Sequence, residues 1–500
     1  MDRRAPALAR VDAVLVALTV VAAGLRLYGL GSQSLWYDEW LTTVAVEGSL
    51  GDLVRHVADR EGITPTYFLL TWGWVRVVGD GDLALRLLPA LAGIATVPVA
   101  YYAALAFDLS RRVARLAALL VAVNPLLVWY SQEARPYSLL ALAAGLSLLT
   151  FARARPPNTR WLAWWALAGA ATVALHYFGA FLVVAEALLL LLAYRPRWQP
   201  VVLAALPAAA VGLLLVPFAI EQHSNAPNRE WISAFALSAR VRDAGRSALV
   251  GPSPPWRDHW VVPALVVAVA AVLLATRTDA RDRRAGAVAA GIAAAGIAVP
   301  LAVSLAGTDV FLGRYVIGAL VPLVLAVAIG LGASRPAGVG LAAAGVLTAA
   351  SVVAIVAVAR DPGLQRPDWQ QVAGAVDEGA TVVVVDVNGG QSSPLERYLP
   401  GAVPLGPDDA VAADRVDVLV GIPADEPCNM LVGRACGMVF LGADVSDTVR
   451  SAFTPAGRDE LDQFALDHYR ADEPVTLTGA DLVAPGAGAG AVVWVVDPSR

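Results

Sequence analysis

Runs of apolar residues, broken by short polar stretches, fill positions 11–359. They lie at 11–30, 87–107, 113–130, 137–152, 161–176, 178–194, 200–220, 260–276, 286–306, 313–331 and 337–359. A helix needs ~20 such residues to cross a bilayer, and the shorter runs reach this only marginally. Positions 65–78 are shorter still and read as an interfacial or re-entrant segment. The first run follows MDRRAPALAR, is too long for a signal-peptide core and lacks a small-residue cleavage site after it, so it reads as a signal anchor. Between 41 and 60 the apolar residues Leu41, Val44, Leu50, Leu53, Val54 and Val57 fall at helical spacing among Arg55, Asp59 and Arg60. That pattern suits amphipathic helices on a membrane surface.

Past residue 360 the pattern changes. Short β-branched runs at 381–386, 416–420, 438–441 and 491–496 read as buried strands, and 369–377 and 393–399 as short helices. Such alternation suggests a small α/β domain. Asn388-Gly389-Gly390 lacks dinucleotide-fingerprint spacing and reads as a turn. The expected organisation is a membrane module at 1–360 and an extracytoplasmic α/β domain at 361–500.

Composition agrees. The chain is 57% hydrophobic and 16% charged, with mean hydropathy +0.61. These values exclude disorder, collagen, coiled coil and a disulfide scaffold. All 37 basic residues are Arg, which with the Ala and Val excess suggests a GC-rich bacterial source. Residues 361–500 carry 22 acids against 8 Arg, net −14, whereas 1–360 is net +9. The acidic tail repels phosphate, so nucleic acid is not an expected partner.

Arginine placement sets the topology. If 65–78 does not cross, most short Arg-bearing loops fall on one side: Arg111, Arg112 and Arg115; Arg153, Arg155 and Arg160; Arg195 and Arg197; Arg277, Arg281, Arg283 and Arg284; Arg335. The positive-inside rule makes that side cytoplasmic. The loop 221–259, with Arg229, Arg240, Arg242 and Arg246, runs against the pattern. The expectation is about eleven spans in a bacterial plasma membrane, N-terminus inside and tail outside. Cys428 and Cys436 then lie where a disulfide persists and are expected to pair.

The same topology gathers the polar motifs SLWYDEW (34–40), SQEARPY (131–137), HYFG (176–179), EQH (221–223) and GRY (313–315) on the outer face. Asp38 and Glu39 are a solvated turn or, since acids near hydrocarbon are expensive, a base or metal site. Arg135 is suited to bidentate phosphate recognition or to an ion pair with Glu133. Arg314 is a phosphate ligand or a snorkelling anchor. His176 with Tyr177, and Glu61, Glu221 and His223, are structural or are substrate or metal contacts, the metal being a divalent cation such as Mg, Mn or Ca. Glu186, nominally mid-membrane, is expected to face the bundle interior. No P-loop, HExxH, GxSxG, haem or iron–sulfur spacing is present.

SLWYDEW after the first span, TPTYFLL, ALRLLPALAGIATVPVAYYAALAF, NPLLVWYSQEARPYSLLAL, HYFGAF and GRYVIGALVPL, in this order, resemble the bacterial GT-C glycosyltransferases. The branch is the one related to protein O-mannosyltransferases and lipid A aminoarabinose transferases. DWQQVAGAV at the start of the tail also resembles the segment after the spans in some members. The resemblance implies transfer of a sugar from a polyprenyl-phosphate donor to an envelope glycan, lipid or protein at the outer face, with inversion. It implies Asp38 as base with Glu39 in support, and Arg135, Arg314 and Tyr137 on the donor phosphate. Where relatives often carry His-Pro-Pro or Lys-Pro-Pro, this chain has Ile63-Thr64-Pro65.

Two other classes fit the hydropathy. A secondary transporter predicts internal repeats and polar groups at the midplane; no repeat is evident and the polar motifs collect at one face. A membrane assembly factor without catalysis predicts no pocket around Asp38. Among enzymes, a ligase using diphosphate-linked glycans is the nearest alternative.

Overall fold

The structure, a computed structural model, describes residues 12–361 except 156, 225–231, 234 and 257–258. Beyond these it describes 364–366, 369–370, 373, 394–399 and seven strands. The chain divides into two compact units: Met1–Leu30 with Thr42–Arg360, and Gly31–Leu41 with Asp361–Arg500.

The first unit is helical, and each apolar run forms helix. In chain order these are α1 (Ala13–Leu27), α2 (Tyr37–Glu47), α3 (Leu50–Arg60), α4 (Thr66–Val78), α5 (Asp82–Ala106), α6 (Arg111–Val123), α7 (Pro125–Ser131) and α8 (Tyr137–Ala154). There follow α9 (Thr159–Leu175), α10 (Gly179–Ala193), α11 (Gln199–Ser224), α12 (Leu237–Val250), α13 (Val261–Arg277) and α14 (Ala280–Leu305). A 3₁₀ segment (Gly313–Ala319) leads into α15 (Leu320–Ala333), and α16 (Ala337–Arg360) ends the unit. Six of the described helical stretches are long and apolar enough to cross a membrane, seven if α6 and α7 form one bent span; α1, α10 and α13 are shorter apolar helices. The protein is thus a multi-span helical membrane protein.

Burial sorts the spans. The most apolar windows of α8 and of Gly313–Ala333 are 78% and 83% buried and form the centre, whereas those of α11 and α16 are only 17% and 22% buried. Leu213 and Leu214 on α11 are exposed, as suits side chains facing lipid. The helices expected at 41–60 are α2 and α3. A capping box between Ser49 and Asp52 starts α3, which buries Leu53 and Val57.

The run 113–130 is bent by 55° where α6 meets α7. Pro125 has no N–H, so the carbonyl of Val121 loses its helical donor. Arg26 of α1 supplies the replacement. Its Nη2 donates to Val121 O at 3.1 Å, Nη1 to Ala122 O at 2.9 Å and Nε to Ser131 Oγ at 3.2 Å. The amide of Gln132 reciprocates, donating to the carbonyls of Leu25, Arg26 and Tyr28 at the end of α1. Gly93 leaves room for this clasp, since a Cβ there would lie 2.0 Å from Ser131 Oγ and 2.9 Å from Arg26 Nε. A charged residue inside the first apolar run is therefore a helix cap for another span.

In the second unit, β1 (Thr381–Asp386) is the middle strand of a five-stranded mixed sheet ordered β2 (Ala402–Leu405), β7 (Val492–Val496), β1, β4 (Val416–Gly421), β5 (Met438–Leu441). β1 pairs parallel with β4, Thr381 facing Val416, and antiparallel with β7, Val383 facing Val495. β3 (Ala410–Ala413) and β6 (Val475–Thr478) form a separate antiparallel pair. The continuous run TVVVVD suits a strand paired on both edges. β2, β3 and β6 escape a sequence reading because AVPL, AVAA and VTLT carry a proline, small alanines or polar threonines in place of a run of large apolar residues. Cys428 and Cys436, the turn at 388–390 and Arg229 lie outside the described residues.

Replacing Arg26 by Met leaves two buried carbonyls without donors, at about 1–3 kcal/mol each. Arg26→Met should therefore lower the thermal midpoint of the detergent-solubilised protein. Pro125→Ala in that background should recover part of the loss, once the extended Asn124 turns helical and brings the new amide to Val121 O. Strictly additive effects in this double-mutant cycle would disprove the substitution of one donor for the other.

Candidate functional site

Within the first unit the polar motifs converge on Arg135. Helix α3 ends at Arg60, and Glu61 follows as its extended C-cap. Both carboxylate oxygens of Glu61 accept from the Arg135 guanidinium, Oε1 from Nη1 at 2.9 Å and Oε2 from Nη2 at 2.8 Å. Both side chains are buried. Nη1 also donates to Thr42 Oγ1 at 3.4 Å, and the Thr42 hydroxyl donates to Ala134 O at 3.0 Å. The Phe68 ring lies 5.6 Å from the guanidinium. The ion-pair alternative for Arg135 is thus realised, but the carboxylate filling its fork is Glu61, 74 residues upstream.

The turn carrying Glu61 is held by Gln222. Its amide donates to Val57 O and Ile63 O, both at 2.9 Å, and its Oε1 accepts from Tyr177 Oη at 3.0 Å. Glu221 and His223 on either side are exposed. Successive helical residues point about 100° apart, so EQH presents its neutral member inward. Ionisable chemistry drew attention to the flanking residues and missed the buried amide.

His176 sits in the turn between α9 and α10, buried against Tyr315 (centroids 5.1 Å) and Phe178 (5.2 Å). Its Nδ1 accepts from the Phe178 amide at 3.2 Å. Burial, then the nearby Arg135 charge, push the imidazole down to about 3. It is therefore neutral at physiological pH with its proton on Nε2. That N–H has no hydrogen-bond partner among the described residues. Tyr315 also stacks on Tyr137 at 6.5 Å, giving an aromatic wall.

Arg314 is buried at the start of the 3₁₀ segment. The loop before it is pinned from both sides. Ser304 Oγ accepts from the amides of Val310 and Phe311, at 3.1 and 2.9 Å. Arg240 of α12 pairs with Asp309 and donates to Phe311 O at 3.3 Å. A Cβ on Gly313 would lie 2.9 Å from Ala244 Cα, so glycine lets α12 approach the backbone here. Glu186 accepts from Ser147 and, at 2.8 Å, from Trp165 Nε1, and so faces the bundle interior as expected.

Asp38 and Glu39 lie in the first turn of α2, where the helix dipole favours negative charge. They belong to the second unit. Glu39 is fully buried and reaches back to the amide of Trp36 at 3.4 Å, the N3-to-N-cap half of a capping box. Arg366 Nε is 4.0 Å from the same carboxylate oxygen. Asp38 is half-buried.

The expected cation ligands do not assemble. Glu61 spends both oxygens on Arg135, His176 uses Nδ1 as an acceptor and carries its proton on Nε2, and Glu221 and His223 are exposed. Among the described residues no three His, Cys, Asp or Glu are placed to hold a metal ion.

Residues 76–233 match the family described as dolichyl-phosphate-mannose-protein mannosyltransferase. Among solved structures, ArnT from Cupriavidus metallidurans in the apo state is similar at TM-score 0.52 and 15% identity, over 77% of this chain and 84% of that one. The Archaeoglobus fulgidus oligosaccharyltransferase in complex with Zn and sulfate is similar at 0.41 and 14%, over 72% and 55%. Arabinosyltransferase EmbB from Mycobacterium smegmatis is similar at 0.40 and 16%, over 66% and 31%. No curated protein matches the sequence. The family match covers about a third of the chain, and the chain shares the fold of ArnT, in line with the resemblance carried by the order of its motifs.

Removing one partner of a buried pair strands the other, at about 3–5 kcal/mol, whereas an apolar replacement of both is near neutral. Glu61→Gln should therefore lower the thermal midpoint more than the double variant Glu61→Leu, Arg135→Met. The reverse order would show that the fork contributes little to folding.

Proposed function

We propose that this glycosyltransferase takes its sugar from a polyprenyl-phosphate donor and passes it to an envelope glycan, lipid or protein at the outer face of a bacterial plasma membrane. The observation that carries the reading is the buried Arg135 fork, a group shaped for paired oxygens, in a chain whose residues 76–233 follow a dolichyl-phosphate-mannose-dependent family. Cupriavidus ArnT, whose fold the chain shares, has also been solved with undecaprenyl phosphate. Soluble nucleotide sugars are cytoplasmic, so transfer on the outer face calls for a lipid-borne donor.

In this reading the spans number eleven, with the N-terminus inside and the acidic tail outside. Arg240 and Arg246 in the outer loop pair with Asp309 and Asp243, so that loop carries less unmatched positive charge than its sequence suggests. The orientation itself rests on the shorter Arg-bearing loops.

The chemistry assigned to the residues is direct displacement. The Asp38 carboxylate takes the proton of the acceptor hydroxyl while the new C–O bond forms and the bond to phosphate breaks, inverting the anomeric centre. The donor phosphate replaces Glu61 in the fork of Arg135, since carboxylate and phosphate present the same paired oxygens. Arg135, with Arg314 and Tyr137, stabilises the charge left on the departing phosphate. The Nε2–H of His176, beside Tyr315, serves a sugar oxygen. Glu39 shapes the turn.

The test is transfer from labelled undecaprenyl-phosphate mannose, arabinose and aminoarabinose to envelope extract by the purified protein. Asp38→Asn should abolish transfer and keep donor binding; near-normal turnover would remove Asp38 from the base role. Arg135→Ala should weaken binding of undecaprenyl phosphate and Arg135→Lys restore only part, because an ammonium cannot copy the fork. Unchanged affinity in both would make Arg135 purely structural.

A further inference from the structure

We infer that the start of the acidic tail clamps the Asp38 turn in its working position, with Arg366 and Tyr398 as positioning residues. The inference rests on the reading of Asp38 as the base.

Residues 31–41 group with the tail in one compact unit. Hydrogen bonds reach them from residues 366–398. Arg366 N donates to Gln33 Oε1 at 3.4 Å, Gln370 N to Ser34 Oγ at 2.8 Å, and Leu35 N to Tyr398 Oη at 2.7 Å. To these is added the approach of Arg366 Nε to the Glu39 carboxylate at 4.0 Å. Leu35, Trp36, Trp369 and Leu395 are buried, so these polar groups meet away from water.

Each contact answers a specific need. Leu35 precedes the helix outside any regular element, and its N–H would be orphaned without the Tyr398 hydroxyl. Ser34 serves as a side-chain cap for the helical residues at 369–370, from a segment 336 residues away. Glu39 satisfies the Trp36 amide, and Arg366 matches its charge. The residues on either side of Asp38 are thereby fixed, and Asp38 itself remains half-buried. An acid that must meet a hydroxyl within ~3–3.5 Å gains from such rigidity, since a shift of ~1 Å can cost ~100-fold. The tail thus contributes to catalysis without supplying a reacting group.

The test uses the full chain and two readouts. The first is kinetic, with the labelled undecaprenyl-phosphate sugars above. Arg366→Met and Tyr398→Phe should each lower kcat by about 10-fold or more while the donor KM stays within about 2-fold, and Arg366→Lys should return most of the rate. The second is hydrogen–deuterium exchange over residues 31–41, which needs no turnover. Exchange should be slow in the unaltered protein and faster in Arg366→Met and Tyr398→Phe. Unchanged exchange overturns the clamp whatever the activity. Faster exchange with normal kcat overturns its catalytic role, as does a loss of donor affinity in proportion to kcat. Asp38→Asn separates the two ideas: if it turns over normally, the base assignment fails first, whereas an inactive Asp38→Asn beside fully active clamp variants refutes only the positioning.

Discussion

A guanidinium taken out of water must find acceptors inside the protein, and much of this structure is arranged around that requirement. Arg26, Arg135, Arg240 and Arg366 are all buried. Each is matched differently: by freed helix carbonyls, by a bidentate carboxylate, by an acid with a loop carbonyl, and by the buried Glu39. Because Arg stays charged when desolvated, none of these contacts relaxes by losing a proton. Each one therefore joins segments that sequence separates widely. The fork of Arg135 brings together the end of α3, the middle of α2 and the SQEAR turn, which is why the polar motifs of the first unit share one neighbourhood.

The spans were legible because an apolar run of fifteen or more residues has few alternatives, and every run became helix. The strands at 381–386, 416–420, 438–441 and 491–496 were legible as short runs of β-branched and large apolar residues bounded by turn residues. The pairings were not. Arg26 lay hidden in a run whose hydropathy it barely lowers, and its role depends on Pro125, 99 positions later. Gln222 is neutral, so a search for ionisable groups passes over it. Glu61 and Arg135 were each singled out, yet nothing in their spacing of 74 announces a bond. Hydropathy is a local property, whereas burial of a polar group is settled by partners from elsewhere in the chain.

Glu39 shows how a motif conceals a division of labour. Adjacent carboxylates read from sequence as a pair with one task. On the first turn of a helix they differ in kind: the N3 position reaches back to the N-cap amide, and the position before it does not. Helical geometry thus assigns Glu39 to architecture, and the proposed base is its neighbour.

The contacts around Leu35 also impose an order on biosynthesis. The segment at 31–41 leaves the ribosome early, and Tyr398 is synthesised 363 residues later. Through nearly all of translation the amide of Leu35 lacks its final partner, and Glu39 has the Trp36 amide but not Arg366. A nascent chain that stops in the last spans can hold its bundle together but has no means of completing the turn at Asp38. On the proposed reading of Asp38 as the base, a chain that ends before the tail has its helices in the membrane and no finished site.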